Sequence, residues 1–375
     1  MKHGGRHILS LNPDYEKRVF GLDLMRSIAI INVVLVHAGW AYEKIGNIPI
    51  KLISGVELFF VLSGFLIGSM LLRMFLAEKP YNLRAISRFW VRRWFRTLPN
   101  YYLILLLNII VVYFGIIQED FAQFNWRFFL FLQNFDSYFQ GFFWESWSLS
   151  IEEWFYFLFP MILGLAYLAG RRARISKRYV FLCTIILFEA VSLVLRLAVA
   201  GRFEVDDYWY DVKIHKVVVY HFDGIALGLL GAYLKHYHPV GWHRCRNVTF
   251  VLGIVISYAV LYAGWDANSY VNKGFKILLQ GVGCALLLPR FETWKEAPMW
   301  LRRPVTHISL ISYSMYLINL SLVSSVIVAH VDVNSVGEGW LWYAIYWAVV
   351  IVASTLIYKY YEKPIMDLRE RFKRN

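Results

Sequence analysis

The sequence predicts an all-α fold: a polytopic membrane bundle of about ten transmembrane helices with both termini cytoplasmic. Three observations predict it. The 375 residues are 58% hydrophobic and 17% charged, whereas an ordinary soluble domain is roughly 45–50% apolar. The charges come in bursts between long apolar runs, as in a chain that crosses hydrocarbon repeatedly. Aromatic residues make up 18% of the chain, and such rings collect at membrane–water interfaces.

Ten apolar runs are expected to span, at 20–40, 51–75, 97–117, 149–169, 179–200, 214–234, 247–263, 272–289, 307–329 and 339–360. They form one membrane domain over 20–360, between a cytoplasmic segment 1–19 and a cytoplasmic tail 361–375. The first run is too long for a signal-peptide core and lacks a small-residue cleavage site, so it is expected to stay in the mature protein. With the N-terminus in the cytoplasm, that side carries 29 Lys and Arg against 8 on the other, and Arg26 and Arg196 lie within spans. The formal charge of +13 therefore points to anionic membrane lipid and not to nucleic acid. Cys183, Cys245 and Cys284 are scattered, so neither a disulfide framework nor a metal site is expected.

The first span reads GLDLMRSIAIINVVLVHAGW. Asp23 and Arg26, three residues apart, share a helix face and can pair. Arg26 and His37 lie about 16 Å apart along the axis with an offset of only about 20°. Ionisable groups inside a span are functional candidates, although a neutral imidazole also serves as a hydrogen bond between helices. The second span, GVELFFVLSGFLIG, places Glu57 near the face of Gly64; close packing and a catalytic carboxylate are both open. Before the third span, SRFWVRRWFRTLP carries Arg88, Arg92, Arg93 and Arg96, either a phosphate clamp or an inner-face anchor.

In the fourth span, WSLSIEEWFYFLFP, a polar stripe of Ser148, Glu152 and Tyr156 recurs every four residues, and Glu153 points away toward the interface. The sixth carries YHFDGIALG. Its His221 and Asp223 cannot share a face, so they need different partners, while Gly224 and Gly228 make a close-packing face. In the ninth, Ser312, Tyr316 and Asn319 line one side, as a site or as interhelical glue. The connection 118–146 is the longest on the outer side and suits a partial lid.

These stretches resemble the membrane acyltransferase 3 family, integral-membrane enzymes that O-acylate sugars and related acceptors. The resemblance runs through GLDLMRSIAIINVVLVH, GVELFFVLSGF, RRWFRTLP, WSLSIEEWFY, ISLISYSMYLIN and YKYYEKP, over residues 20–364. It places the family's first-helix arginine and histidine on Arg26 and His37, its arginine pair on Arg93 and Arg96, and its glutamate on Glu152. Two positions depart: Asn319 stands where the family commonly has histidine, and His221 where it commonly has arginine. The extra soluble hydrolase-like domain of some relatives is not expected, and no G-x-S-x-G elbow is present.

The resemblance implies transfer from cytoplasmic acyl-CoA, most simply acetyl-CoA, to a hydroxyl of a surface or lipid-linked glycan at a bacterial inner membrane. In that scheme His37 is the general base or a transient acyl carrier, oriented by Glu152 or Asp23. Arg26, Arg92, Arg93 and Arg96 hold the donor's phosphates. Glu57, Tyr156, Tyr316, Asn319 and His221 contact the acceptor. The alternatives are an acyltransferase for a small hydrophobic metabolite, a transporter without acyl chemistry, and a catalytically altered relative that only binds.

Overall fold

The computed structural model describes residues 11, 13–45, 53–77, 81–139, 141–202 and 204–371. Residues 1–10, 12 and 372–375 of the two terminal segments, 51–52 of the second expected span and 140 of the 118–146 connection lie outside the described residues. The described residues form helices and no strand. In chain order the long ones are α1 (Phe20–His37), α2 (Gly55–Leu76), α3 (Leu83–Tyr113), α4 (Ser146–Arg172), α5 (Lys177–Ala200), α6 (Asp223–Tyr237), α7 (Arg246–Tyr262), α8 (Tyr270–Thr293), α9 (Met299–Ile318) and α10 (Val336–Ile357).

Among the described residues, eight helices are long and apolar enough to cross a membrane. They are α1 to α5, α8, α9 with its continuation to His330, and α10 with its continuation to Leu368. The chain is thus an all-α, multi-pass membrane protein. Helices also stand at the sixth and seventh expected runs, but α6 has 15 residues and α7 has 17.

Two boundaries differ from expectation for identifiable reasons. Helix α3 starts at Leu83, not near 97, because the arginine-rich lead-in is itself helical. Asn82 caps it, its Oδ1 accepting from the Ala85 N–H at 3.0 Å. Helix α6 starts at Asp223, not 214. The backbone N–H groups of Val218 and Val219 donate instead to the carbonyls of Asn134 and Phe135, at 2.9 and 3.2 Å. That leaves a π turn at Asp211–His215 and a 3-10 turn at Val218–Tyr220 ahead of the helix.

The chain divides into two compact units. The first comprises residues 1–50, 92–118 and 294–375; the second comprises 51–91 and 119–293. In the first, α1 packs on α9. The opening N–H groups of α1 are not wasted: Phe20 and Gly21 donate to the carbonyls of Lys295 and Trp294 at 3.2 and 2.8 Å. In the second, α2 packs on α6. A Cβ on Gly64 would run into the Ile225 carbonyl oxygen, and one on Gly228 into that of Val61. Only glycine permits this approach, the close packing that the sequence led one to expect.

Candidate active site

The first unit gathers eight of the singled-out residues: Asp23, Arg26, His37, Arg92, Arg93, Arg96, Tyr316 and Asn319. Asp23 stands in the first turn of α1, where a carboxylate favours the helix N-terminus. Its closest partner is Arg18, which grips it with two bonds, Nη2–Oδ1 at 2.5 Å and Nε–Oδ2 at 2.8 Å. Ser309 donates to Oδ1 at 2.8 Å and Thr306 to Oδ2 at 3.3 Å. The expected pairing with Arg26 is present but long, at 3.9 Å. Arg26 instead donates to Ser309 Oγ at 3.3 Å.

Arg26 also feels the charges of Arg96, Arg18 and Arg93. Four guanidinium groups therefore act on one end of α1, with Asp23 engaged chiefly by Arg18. Glu362 lies within the reach of Arg96. Its Oε2 accepts from Ser314 at 2.9 Å and from Asn100 at 3.3 Å. The excess is cationic, as a site for phosphate oxyanions requires. Arg92 and Arg96 are exposed and Arg93 is partly buried.

His37 ends α1 and is partly buried. Its Nδ1 lies 2.5 Å from Asn319 Oδ1. Asn319 is wholly buried at the start of the π turn Asn319–Ser324 that extends α9. Its amide donates to the carbonyls of Met315 and Tyr316 at 2.9 and 2.7 Å. With both amide hydrogens spent there, Oδ1 must accept, so His37 Nδ1 carries the proton. Nε2 is then the basic nitrogen of the ring. Ser324 Oγ donates to the His37 carbonyl at 3.1 Å and holds the end of the helix.

This corrects the expectation that Asp23 orients His37. The side chain bonded to His37 Nδ1 is Asn319, while Asp23 is committed to Arg18, Ser309 and Thr306 about four turns away. Tyr316 is buried one turn before Asn319.

Glu57, Glu152, Tyr156 and His221 lie in the second unit. The Tyr156 hydroxyl bonds to Ser63 Oγ, and its carbonyl accepts from Trp90 Nε1 at 3.1 Å. Glu152 is partly buried, whereas Glu153 is buried, the reverse of the expectation that Glu153 looks to the interface. His221 and Asp223 do find different partners. His221 meets Glu57 on α2 at 2.5 Å, and Asp223 forms a two-bond pair with Arg196 on α5 at 2.5 and 2.6 Å. Next to them, His215 bonds Asp211 at 3.0 Å. Burial acts to lower the His215 pKa, but its bond to Asp211 and the nearby Glu57 carboxylate outweigh that and raise it to about 8. Burial acts to raise Asp211, and the bonds from His215 and Lys216 hold it well below the usual carboxylate range.

A family model described as an acyltransferase domain matches residues 19–359. The chain belongs to the acyltransferase 3 family. YrhL of Bacillus subtilis, named as a proposed peptidoglycan O-acetyltransferase, is 26% identical over 94% of this chain and 55% of its own length. The peptidoglycan O-acetyltransferase OatA of Listeria monocytogenes is 34% identical over 39% of this chain and 24% of its own. A Staphylococcus aureus protein named as a proposed O-acetyltransferase is 24% identical over 92% of this chain and 47% of its own. The chain thus spans about half the length of the curated relatives that it matches end to end. No solved structure matches it significantly.

In this acyltransferase 3 member, the two departures named above have definite places. Asn319 supplies the bond to His37, and His221 is paired with Glu57. Sequence reasoning passed over Arg18, Ser309 and Glu362 in the first unit and Asp211, His215 and Arg196 in the second. Signals existed for two of them: Arg196 as a basic residue inside a span, and His215 six residues before His221 in HKVVVYH.

Proposed function

We propose that the chain is a membrane O-acetyltransferase that moves an acetyl group from cytoplasmic acetyl-CoA to a hydroxyl of a peptidoglycan-type glycan at a bacterial inner membrane. The observation that carries the reading is His37, held by Asn319 with Nε2 as its basic nitrogen, on the same helix as Arg26. Arg26, Arg93 and Arg96, with Arg92 beside them, hold the donor's phosphates. The slim pantetheine arm covers the ~16 Å from the Arg26 level to the His37 level. Only that arm enters the bundle, so the phosphates stay among cations.

His37 Nε2 takes the proton of the acceptor hydroxyl as its oxygen attacks the thioester carbonyl. The carbon–sulfur bond breaks, the acetyl ester forms, and the proton leaves with CoA as the free thiol. Tyr316, buried one turn before Asn319, is assigned to the acceptor. The relatives' names favour a peptidoglycan sugar over a small hydrophobic metabolite as that acceptor.

The test is transfer from radiolabelled acetyl-CoA by the purified chain in proteoliposomes, with peptidoglycan fragments and lipid-linked saccharides as acceptors. Label on a glycan hydroxyl is the expected result. Glycan movement across the bilayer with no label and no CoA release would replace this reading with transport.

A further inference from the structure

In the second unit, three side chains converge from three places in the chain. Glu57 comes from the first turn of α2, His215 from the π turn and His221 from the residues just before α6. One ligand atom from each lies within 4.8 Å of the others. We propose that Glu57, His215 and His221 form a binding site for one divalent transition-metal ion of the zinc class.

The hydrogen bonding carries the argument. His221 Nδ1 is 2.5 Å from the His215 carbonyl oxygen, which only accepts, so Nδ1 holds a proton and donates. The other nitrogen, Nε2, faces Glu57 Oε1 at 2.5 Å. A bare imidazole lone pair cannot face a bare carboxylate at that distance. A cation must lie between them, either a proton or a metal. His215 repeats the arrangement. Its Nδ1 bonds Asp211 Oδ1 at 3.0 Å, and its Nε2 turns toward Glu57 Oε1 at 3.7 Å. That separation is too long for a hydrogen bond. It is close to the roughly 3.3 Å between neighbouring ligands of a tetrahedral ion with bonds of about 2.0–2.1 Å.

Both rings thus use Nδ1 on an oxygen acceptor and present Nε2 to a common point. Metal-ligating histidines are held this way, by a carboxylate or a backbone carbonyl on the second nitrogen. The last observation is independent. Glu57 is wholly buried, and its Oε2 has no hydrogen-bond partner. One proton shared between His221 and Oε1 leaves that oxygen orphaned, at a cost of about 1–3 kcal/mol. An ion held by the carboxylate removes the orphan. Two histidines and one glutamate are a known zinc ligand set and leave a fourth position for water. Filling the site requires the His221–Glu57 contact to open from 2.5 Å to about 3.3 Å and displaces the protons now there.

The experiment uses the untagged full chain in detergent with Cys183 and Cys245, both exposed, changed to serine. The protein is stripped with chelator, loaded with zinc, passed through a desalting column and assayed for metal. About one zinc per chain is expected, with affinity at least tenfold weaker in His215→Ala and in His221→Ala. Cobalt in place of zinc should give the intense visible bands of tetrahedral coordination in the protein lacking both exposed cysteines, a readout that needs no His variant to fold. Zinc retention no greater than in the His215→Ala/His221→Ala double variant overturns the proposal. So does a cobalt spectrum of the octahedral aquo type; the cluster is then a proton-bridged ion pair. Neither readout depends on acetyl transfer.

Discussion

Replacing Asn319 with alanine should slow acyl transfer while leaving donor binding intact. Asn319 Oδ1 is the acceptor that fixes the proton on His37 Nδ1, at 2.5 Å, from a wholly buried position. Removing it takes away the bond that sets both the ring angle and the tautomer. A buried donor deprived of its acceptor costs about 1–3 kcal/mol, which corresponds to a fall in kcat of about 5- to 150-fold if the cost falls on the transition state. The KM for acetyl-CoA should move little, because the phosphates are assigned to the arginines at the other end of α1. Asn319→Asp keeps an acceptor in place and strengthens it by charge, so it should retain more activity than Asn319→Ala. The assay is steady-state CoA release in proteoliposomes, with thermal unfolding to confirm that each variant folds. A folded Asn319→Ala protein with wild-type kcat would refute the reasoning. So would a change confined to KM.

Other consequences follow from the same geometry. Arg93→Ala/Arg96→Ala should raise the KM for acetyl-CoA by about 10- to 150-fold, the loss of roughly 1.5–3 kcal/mol in charge-assisted bonds, and change kcat by only a few-fold. An unchanged KM would remove the phosphates from this end. Gly64→Ala should destabilise the protein in a detergent melt by about 1–3 kcal/mol or more, since its Cβ meets the Ile225 backbone. Gly201→Ala, with open space around it, should melt near wild type, and equal melting of the two variants would contradict the α2–α6 contact. Arg196→Met strands Asp223 in a wholly buried site and should cost about 3–5 kcal/mol, much of which Arg196→Met/Asp223→Leu should restore. A double variant no better than the single one would show that the pair is not the source of the loss.

Much of this was legible in the sequence, because hydropathy marks helices that must satisfy their own backbone in lipid. The boundaries that moved did so for local hydrogen bonds that hydropathy does not register. Asn82 starts α3 early, and Asn134 with its neighbour draws residues 216–219 into bonds that delay α6. Within the site, helix spacing brought out the line from Arg26 to His37 and the different partners of His221 and Asp223. It offered Asp23 as an orienter for His37, whereas the bond to Nδ1 comes from an amide at a π turn. Helix phase does not carry through such a turn. Arg18 escaped notice because it precedes the helix, so its grip on Asp23 belongs to no i, i+3 pattern.

The central claim is that His37 performs the chemistry. Its most direct test is single-turnover transfer from labelled acetyl-CoA to a peptidoglycan-type acceptor in proteoliposomes, wild type beside His37→Ala at matched folded protein. A fall of about 10²- to 10⁴-fold in the variant, with acetyl-CoA still bound, is the result expected for loss of a general base. Equal rates in the two proteins would contradict the account.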